Sequence, residues 1–392
     1  MAASTETKNI GLRGIVVADS RISDVNGKIG KLIYRGYDAV ELSRFSTYEE
    51  VAHLLLYGKL PGPGALERFD QQLREHRRLP DLMVDHLKSR PATAPPMEVL
   101  QTMVSMMPDF DPDSQVETHE ANEKKAIRLI AQIPTVVAYW HRIRSGLEIV
   151  PPSSSLSHGA DFLAMLNGTP PDADTAREFD VFLILHAEHS FNASTFAGRQ
   201  IASTRATMYA AVVAALGALS GELHGGANIQ VMRMLTEIGS PEKAADWVRE
   251  RLAGGEKIMG MGHAVYRTQD PRAVVIKEFA KRISERAGDF RLLEISREVE
   301  NTFMQEVTRK KKRGIYPNVD FYSPIVFHLM GIPTDLFTAV FAISRISGWC
   351  AHVLEEKFAE AQPKPALYRP ESEYTGRYCG PEACEYIPMD RR

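Results

Sequence analysis

The stretch Lys257-Ile-Met-Gly-Met-Gly-His-Ala-Val-Tyr-Arg-Thr-Gln-Asp-Pro-Arg272 combines residue types that ordinary helix packing does not require. Its two glycines let the backbone come close to a ligand and adopt positive φ angles. His263 is the kind of side chain that exchanges protons near neutral pH, and the two arginines that follow it can bind anions. The stretch therefore predicts a ligand-binding segment.

The segments on either side of this stretch are helical in pattern, with no alternation of strands and helices. Gly260-Met-Gly-His263 lacks a preceding strand and a third glycine, so it is not a dinucleotide-binding fingerprint. Ser240-Pro and Asp270-Pro are typical helix starts, with a capping residue before a proline in the first turn. We predict an all-α fold, with its clearest helices over residues 120–145, 174–187, 193–219, 289–313 and 333–361.

A minor β-hairpin is predicted near the N-terminus. Residues 15–17, Ile-Val-Val, and residues 31–34, Lys-Leu-Ile-Tyr, flank the turn sequence Val25-Asn-Gly27. Thr47-Tyr-Glu-Glu50 then has the spacing of a capping box, and Gly58 is expected to end the helix that follows.

Composition excludes several classes of function. A chain of 392 residues suits two domains, and a net charge of −3 gives no indication of nucleic-acid binding or of a membrane surface. Three cysteines without metal-ligand spacing favour a reducing compartment. The N-terminus has no apolar signal segment, and the longest apolar run, residues 208–219, is too short to cross a bilayer. We therefore expect a cytoplasmic protein with neither nucleic-acid nor membrane partners.

Two histidine motifs allow more than one interpretation. In His186-Ala-Glu-His189 the two rings share one helix face. They could bind a metal together with His224, or one could face the core and the other a pocket. His224, before Gly225-Gly, could lie at a helix N-terminus as a neutral hydrogen-bond donor to a ligand; the alternative is a tight turn with an incidental histidine.

Asp320, in Tyr316-Pro-Asn-Val-Asp320-Phe-Tyr-Ser-Pro, has apolar and aromatic neighbours that would desolvate its carboxylate and make it a stronger base. A helix cap near Pro324 is the alternative. A carboxylate base with two histidine donors and several arginines indicates proton abstraction next to a carbonyl of an anionic substrate. Preorganised donors must then stabilise the developing oxyanion.

The basic run Arg309-Lys-Lys-Lys-Arg313 ends one predicted helix. We interpret it as a solvated helix end near the negative pole of the helix dipole, with a phosphate contact as the alternative.

Nine short motifs, in this order and over nearly the whole chain, resemble those of the citrate synthase family, in its shorter bacterial and archaeal form. Each motif alone is short, but the ordered set is highly specific. The motifs are Gly11-Leu-Arg-Gly-Ile-Val-Val17, Tyr34-Arg-Gly-Tyr-Asp38, Glu49-Glu-Val-Ala-His-Leu-Leu-Leu-Tyr-Gly-Lys-Leu-Pro61, His186-Ala-Glu-His189, Leu223-His-Gly-Gly-Ala-Asn228, Met261-Gly-His-Ala-Val-Tyr-Arg267, Asp270-Pro-Arg272, Tyr316-Pro-Asn-Val-Asp320 and Arg369-Pro-Glu-Ser-Glu-Tyr-Thr-Gly376.

The resemblance implies a two-domain helical homodimer in which residues 1–222 and 324–392 form the large domain and residues 223–323 the inserted small domain. It implies condensation of acetyl-CoA with oxaloacetate and hydrolysis of the citryl thioester to citrate and CoA, as in the tricarboxylic acid cycle. By resemblance, Asp320 is the base that deprotonates the acetyl methyl group, His224 the donor to the thioester oxygen, and His263 the acid that protonates the oxaloacetate carbonyl.

The same resemblance assigns the binding residues. Oxaloacetate would be bound by four side chains: His189, Arg272, Arg345 and Arg369. Of these, Arg369 would reach into the active site of the partner subunit. Coenzyme A, as a co-substrate, would contact Lys257, Ile258, Met259, Gly260, Arg267 and Asn318. No metal and no permanently bound cofactor is implied.

Three features depart from the family pattern: Glu222 stands where many members have proline, Glu371 stands where arginine is usual, and residues 360–368 form a longer segment. The closest alternative activity is that of 2-methylcitrate synthase, which uses propionyl-CoA. The same catalytic residues serve both reactions, and one methylene group changes the free energy of discrimination by only about 1–3 kcal/mol.

Overall fold

The computed structural model describes residues 10–12, 14–309, 314–376 and 386–391. Sixteen α-helices dominate this part of the chain, which confirms the predicted all-α fold. They are α1 (Ala39–Phe45), α2 (Tyr48–Tyr57), α3 (Pro63–His76), α4 (Asp81–Ser89), α5 (Pro96–Met106), α6 (His119–Arg144), α7 (His158–Asn167), α8 (Ala173–His186), α9 (Ala193–Ser203), α10 (Met208–Leu219), α11 (Ala227–Ile238), α12 (Pro241–Ala253), α13 (Pro271–Ala287), α14 (Arg291–Arg309), α15 (Val319–Leu329) and α16 (Phe337–Phe358).

A small antiparallel sheet precedes α1. Its strands are β1 (Ser23–Asn26), β2 (Lys31–Tyr34) and β3 (Tyr37–Asp38), in the order β1-β2-β3. Ser23 lies opposite Tyr34 and Asn26 opposite Lys31. The predicted hairpin therefore exists, and its second strand is confirmed.

The predicted first strand, residues 15–17, is wrong. Ile15 and Val16 are 48% and 85% exposed and lie in irregular backbone. The strand that pairs with β2 comes immediately before the turn, since a short turn brings adjacent residues together most easily. Asn26 ends this strand and closes the turn, because its Oδ1 accepts the backbone N–H of Lys28 at 3.2 Å.

Local hydrogen bonds determine where several helices begin and end. Thr47 and Glu50 form the predicted capping box at the start of α2, and Gly58 ends that helix in the left-handed conformation. The predicted single helix over residues 193–219 is wrong, because the structure has two, α9 and α10. Thr207 caps α10 by accepting the N–H of Ala210, so the chain turns between the two helices instead of continuing.

Helix α16 lies in the centre of the core, with every residue from 337 to 356 buried. The predicted helix over residues 333–361 is thus confirmed in position but begins and ends a few residues inside those bounds. Together with the 3₁₀ turn Thr334–Leu336, α16 is the one described segment with the length and apolar composition of a membrane span, and its apolar window is 100% buried inside the protein. Core helices of that length pass the same test.

Helices α11 to α15 pack chiefly on one another, with α12 against α14 and α13 against α15. Helix α13 also contacts α1 and α8. The division into residues 1–222 plus 324–392 and residues 223–323 stays a prediction. Helix α14 is described to Arg309, and the rest of the basic run, residues 310–313, lies outside the described residues.

Candidate active site

Backbone hydrogen bonds join the glycine-rich stretch to the segment that carries Asp320. Gly262 N donates to Tyr316 O at 2.8 Å, and Asn318 N donates to Gly260 O at 2.9 Å. The Asn318 side chain adds a third bond, from Nδ2 to Gly262 O at 2.8 Å. Two motifs more than 50 residues apart in sequence therefore form one rigid unit.

Both glycines of the stretch have positive φ, 77° at Gly260 and 88° at Gly262, as their residue type predicts. At Gly260 the reason is also steric, since a Cβ there would lie 2.8 Å from Phe321 and 2.9 Å from Val231. This glycine therefore brings the stretch against α11 and α15.

Asp320 lies in the first turn of α15 but does not cap it. Asn318 is the cap, since its Oδ1 accepts the N–H of Asp320 at 2.9 Å. The alternative interpretation of Asp320 as a helix cap is therefore wrong, and its carboxylate is available for chemistry. Burial raises the pKa of Asp320 to about 6, although the charge of Arg272 opposes this increase. The carboxylate is thus a stronger base than usual and still mostly ionised at neutral pH.

The tautomer of His263 is determined by its own loop. Nδ1 accepts the backbone N–H of Val265 at 3.0 Å and of Tyr266 at 3.1 Å. The proton of the neutral ring must then be on Nε2. Burial, together with the charge of Arg272, lowers the pKa of His263 to about 4. At neutral pH this ring is an uncharged donor through Nε2–H.

His224 lies in a turn, where its N–H donates to Gly221 O at 3.0 Å, and this turn leads directly into α11, whose cap is Gly226. The turn and the helix N-terminus of the two interpretations are thus both present. The Nε2 atom of His224 lies 3.3 Å from the N–H of Ser194 and 2.8 Å from Ser194 Oγ. Because a backbone N–H can only donate, Nε2 accepts and the ring proton belongs on Nδ1. Burial, followed by the charge of Arg345, lowers the pKa of His224 to about 4, so this ring is a second uncharged donor.

His189 is buried beside His263, with the two ring centroids 5.3 Å apart. Its Nε2 lies 3.3 Å from the hydroxyl of Tyr266, whose own ring centroid is 4.7 Å from that of His263. Burial and the charge of Arg272 hold the pKa of His189 well below its ordinary value. Tyr266 is a site residue that the sequence analysis missed, because an aromatic residue in an apolar run is most often a core residue.

Arg272 is held by Asp270, the residue that also caps α13. The guanidinium donates from Nε to Oδ1 at 3.0 Å and from Nη2 to Oδ2 at 2.8 Å. Asp270 was predicted only as a helix start, which it is. Its second role as a buried counterion has no local sequence signal.

Arg345, on α16, is buried and donates from Nε to the carbonyl of His186 at 2.6 Å. Burial lowers the pKa of Arg345 to about 10, so it stays protonated at neutral pH. The ring of His186 stacks on Phe182 at 3.9 Å, which places this histidine in the core. No group of three potential metal ligands occurs among the described residues, and His186 and His189 have the core-and-pocket arrangement.

Glu188, between these two histidines, is fully buried and was also missed. Its Oε1 accepts from Ser23 Oγ at 2.9 Å and from His352 Nε2 at 3.0 Å. Gly348 leaves room for the other oxygen, since a Cβ there would lie 2.4 Å from Oε2.

Arg369 is not part of this cluster within the described chain. It lies exposed in the irregular tail, directly after an anchored residue. That residue, Tyr368, donates from its hydroxyl to Glu356 Oε2 at 2.6 Å and from its N–H to Ser203 Oγ at 3.3 Å. The longer segment 360–368 therefore ends at a defined point on the protein surface.

A cavity of about 550 Å³ opens beside His263, and its lining includes Lys257, Ile258 and Arg267. Phe303 and Ile315 add apolar surface, and Glu256 and Glu306 also line the cavity. Of the other predicted coenzyme A residues, Gly260 is buried under α15 and Asn318 serves as the cap of that helix. Neither these two nor Met259 lines the cavity.

Comparison with known proteins identifies the family of this chain. The family model described as citrate synthase, C-terminal domain, matches residues 11–371. The chain belongs to the citrate synthase family. It is 41% identical over its full length to a citrate synthase from Synechocystis sp., of which it covers 96%. The predictions of the family, of the fold and of citrate synthase activity are confirmed.

Two solved citrate synthases share the structure. The enzyme from Pyrobaculum aerophilum superposes with a TM-score of 0.89 at 40% identity, with 97% of this chain and 95% of that chain covered. The enzyme from Thermoplasma acidophilum, solved with carboxymethyl coenzyme A and oxaloacetate, gives a TM-score of 0.87 at 28% identity, with 97% and 98% covered. A 2-methylcitrate synthase from Mycobacterium tuberculosis is also related, at 41% identity over 93% of this chain and 90% of its own length.

Proposed function

We propose that this site condenses acetyl-CoA with oxaloacetate through Asp320, His224 and His263, and then releases citrate and coenzyme A. The observation that supports this most strongly is the pairing of one carboxylate of raised pKa with two uncharged histidine donors. Asp320 lies on the unit that also carries His263. A base and a donor on one rigid unit have the preorganisation that enolisation requires.

In the first step Asp320 takes a proton from the acetyl methyl group. The electron pair of the broken C–H bond forms the C=C bond of an enolate, and the π pair of the thioester C=O moves onto the oxygen. His224 donates from Nδ1–H to the thioester oxygen, where negative charge develops. One such donor contributes about 3 kcal/mol to transition-state stabilisation. An uncharged histidine suits this role because it is not held in an ion pair that would have to break before it donates to the thioester oxygen.

In the second step the enolate carbon attacks the carbonyl carbon of oxaloacetate, and the thioester C=O forms again. His263 gives its Nε2 proton to the resulting alkoxide, and the proton that Asp320 took then returns the His263 ring to its neutral form. A water molecule then cleaves the thioester of citryl-CoA, so that citrate and the free thiol are formed. The two backbone amides on Nδ1 of His263 keep the proton on the nitrogen that is free to donate.

Oxaloacetate, a dianion, would be bound by His189, Arg272 and Arg345, and by Arg369 of a second copy of the chain. Guanidinium groups pair with carboxylates through two parallel hydrogen bonds, which provides both charge and orientation. The homodimer is part of this proposal, because the exposed Arg369 does not reach its own site in the described chain. We place the enzyme in the cytoplasm, without a permanently bound cofactor.

Acyl-CoA would enter through the cavity beside His263, where Lys257 and Arg267 can pair with phosphate groups of coenzyme A. Ile258 would contact its apolar parts, and Met259, Gly260 and Asn318 complete the proposed set. A thiol-release assay with oxaloacetate and either acetyl-CoA or propionyl-CoA tests the proposal. We expect kcat/KM to be higher for acetyl-CoA; a clear preference for propionyl-CoA would instead assign 2-methylcitrate synthase activity.

A further inference from the structure

The hairpin β1–β2 has no role in the reaction described so far, yet its turn lies directly against the loop after His263. Arg267 N donates to Gly27 O at 2.9 Å. A Cβ at Gly27 would lie only 2.3 Å from the carbonyl oxygen of Val265, and one at Gly30 would lie 2.9 Å from that of Gln269. The backbones of the turn and the loop are thus in close contact, and the side chains of Val265 and Thr268 also pack against these two glycines.

The part of the loop in contact is the part that controls His263. Val265 and Tyr266 provide the two amides that donate to His263 Nδ1. The carbonyl of Val265 lies against Gly27, and the next amide, that of Arg267, donates to the turn. A displacement of the turn would therefore move the peptides that determine the tautomer of His263.

The other end of the same hairpin holds the loop of His189. Ser23 Oγ donates to Glu188 Oε1 at 2.9 Å and accepts the N–H of Ser190 at 3.0 Å. Tyr34, which lies opposite Ser23 in the sheet, is fully buried and donates from its hydroxyl to the carbonyl of Glu188 at 2.9 Å. Residues on both sides of His189 are therefore bonded to the hairpin.

We propose that this hairpin, residues 23–34, is a positioning element for the reaction. It fixes His189 and His263 relative to each other by binding the loop of each at opposite ends. Gly27 and Ser23 are its two positioning residues, and they act through those loops without touching substrate. The inference rests on the proposed roles of His189 and His263.

Gly27→Ala tests one end of the hairpin. Gly27 does not have a positive φ, so alanine fits the hairpin itself, and its methyl group would meet Val265, 2.3 Å from the carbonyl oxygen and 3.0 Å from Cγ1. Displacements of about 1 Å at a reacting group can lower the rate about 100-fold, and we expect kcat to fall at least about tenfold. Gly64→Ala is the matched control, because Gly64 also lacks a positive φ and has only an ordinary contact at 3.6 Å. Its kcat should stay within about twofold of the native value, as for surface substitutions.

A direct readout of the His263 ring separates positioning from a loss of folding. In the native protein the ¹⁵N shifts of the imidazole should report a protonated Nε2 and an unprotonated Nδ1, and in Gly27→Ala this preference should weaken. If the folded variant keeps both the native kcat and the native tautomer, the inference is wrong, even if its melting temperature is lower.

Ser23→Ala tests the end of the hairpin that holds the His189 loop. It also tests the proposed positioning role if Gly27→Ala does not fold. Loss of the Ser23 hydroxyl leaves Glu188 and the Ser190 amide without this partner, so the KM for oxaloacetate should rise about tenfold while kcat changes less. Equal changes in KM and kcat, or none, would overturn the proposal. If the native protein did not turn over acetyl-CoA and oxaloacetate, the proposed function would be wrong instead. The ¹⁵N shifts of the His263 imidazole would then still test whether the hairpin positions this ring.

Discussion

Asp270 holds Arg272 in a buried, two-point ion pair, and the Oδ2 atom of the same carboxylate lies 3.3 Å from the N–H of Val319, at the start of α15. One carboxylate therefore joins the arginine expected to bind oxaloacetate to the helix that carries the expected base, Asp320. The position of each depends on the other through a group that takes no part in the chemistry.

Asp270→Asn should lower both stability and substrate binding. Removing one member of a buried ion pair lowers the free energy of unfolding by about 3 kcal/mol, and Arg272 would lose its orientation, which raises the KM for oxaloacetate. Asparagine still caps helices, so loss of the cap does not explain the effect. Urea denaturation and steady-state kinetics measure the two changes. Asp246→Asn is the control, because its pair with Arg249 is exposed and contributes under about 1 kcal/mol.

Asp320→Ala should abolish condensation and leave oxaloacetate binding near normal. No described residue donates a hydrogen bond to the Asp320 carboxylate, so the substitution removes no bond that holds the described fold together. We expect kcat to fall by about 1,000-fold, within the range for general base catalysis. Thiol release measures turnover, and calorimetry measures oxaloacetate binding. Unchanged turnover, or loss of folding in circular dichroism, would contradict the assignment of Asp320 as the base.

The rate should fall in acid with a single protonation. The base must be ionised, and burial raises the pKa of Asp320 to about 6, so kcat/KM should be constant above that pH and decrease below it. His224 and His263, with pKa values lowered to about 4 by burial, stay neutral over this range. A plot of log(kcat/KM) against pH should have a limiting slope of one. A slope of two near pH 6 would mean that a histidine titrates as well.

Arg369→Ala should weaken oxaloacetate binding about 100-fold, since hydrogen bonds between charged groups contribute about 1.5–3 kcal/mol each. In a mixed dimer with Arg369→Ala in one chain, the altered chain should fail to complete its partner's site. The site that loses activity should therefore be the one that contains His263 of the native chain. Dimers that combine Arg369→Ala in one chain with Asp320→Ala in the other provide the measurement. If Arg369 acts across subunits, both changes fall in the same site, and the second site keeps near-native turnover.

The matching pair of dimers carries both substitutions in one chain, with the other chain native. There each site would contain one defect, so almost no activity is expected. The opposite ranking of the two dimers would show that Arg369 serves its own subunit. Arg44→Ala is a suitable control, because Arg44 is exposed and pairs only with Glu41 one turn away.

Several features of this protein followed from the sequence alone, because they depend on residues a few positions apart. The capping box of Thr47 and Glu50, the αL end at Gly58 and the Asp270 cap of α13 all use contacts within one helical turn. Helix α12 begins at Pro241 as predicted, but the Ser240 side chain makes no capping hydrogen bond. The ordered motifs likewise identified the family, because residue types and their order along the chain can be compared without knowing the three-dimensional structure. Local patterns failed at Thr207, where polar residues interrupt an apolar stretch between α9 and α10, and at residues 15–17, where an apolar run is not a strand.

Only the tertiary structure decided how these residues act together. The bonds from Gly260 and Gly262 to Tyr316 and Asn318, and the contact of Gly27 with Val265, join positions tens to hundreds of residues apart. Such contacts depend on how helices pack around α16, and no local propensity encodes which backbone groups will then meet. Local sequence patterns thus predicted most of the helices, the family and the candidate residues. Packing determined the tautomers, the buried counterion of Arg272 and the position of the hairpin, because burial and long-range hydrogen bonds exist only in the folded chain.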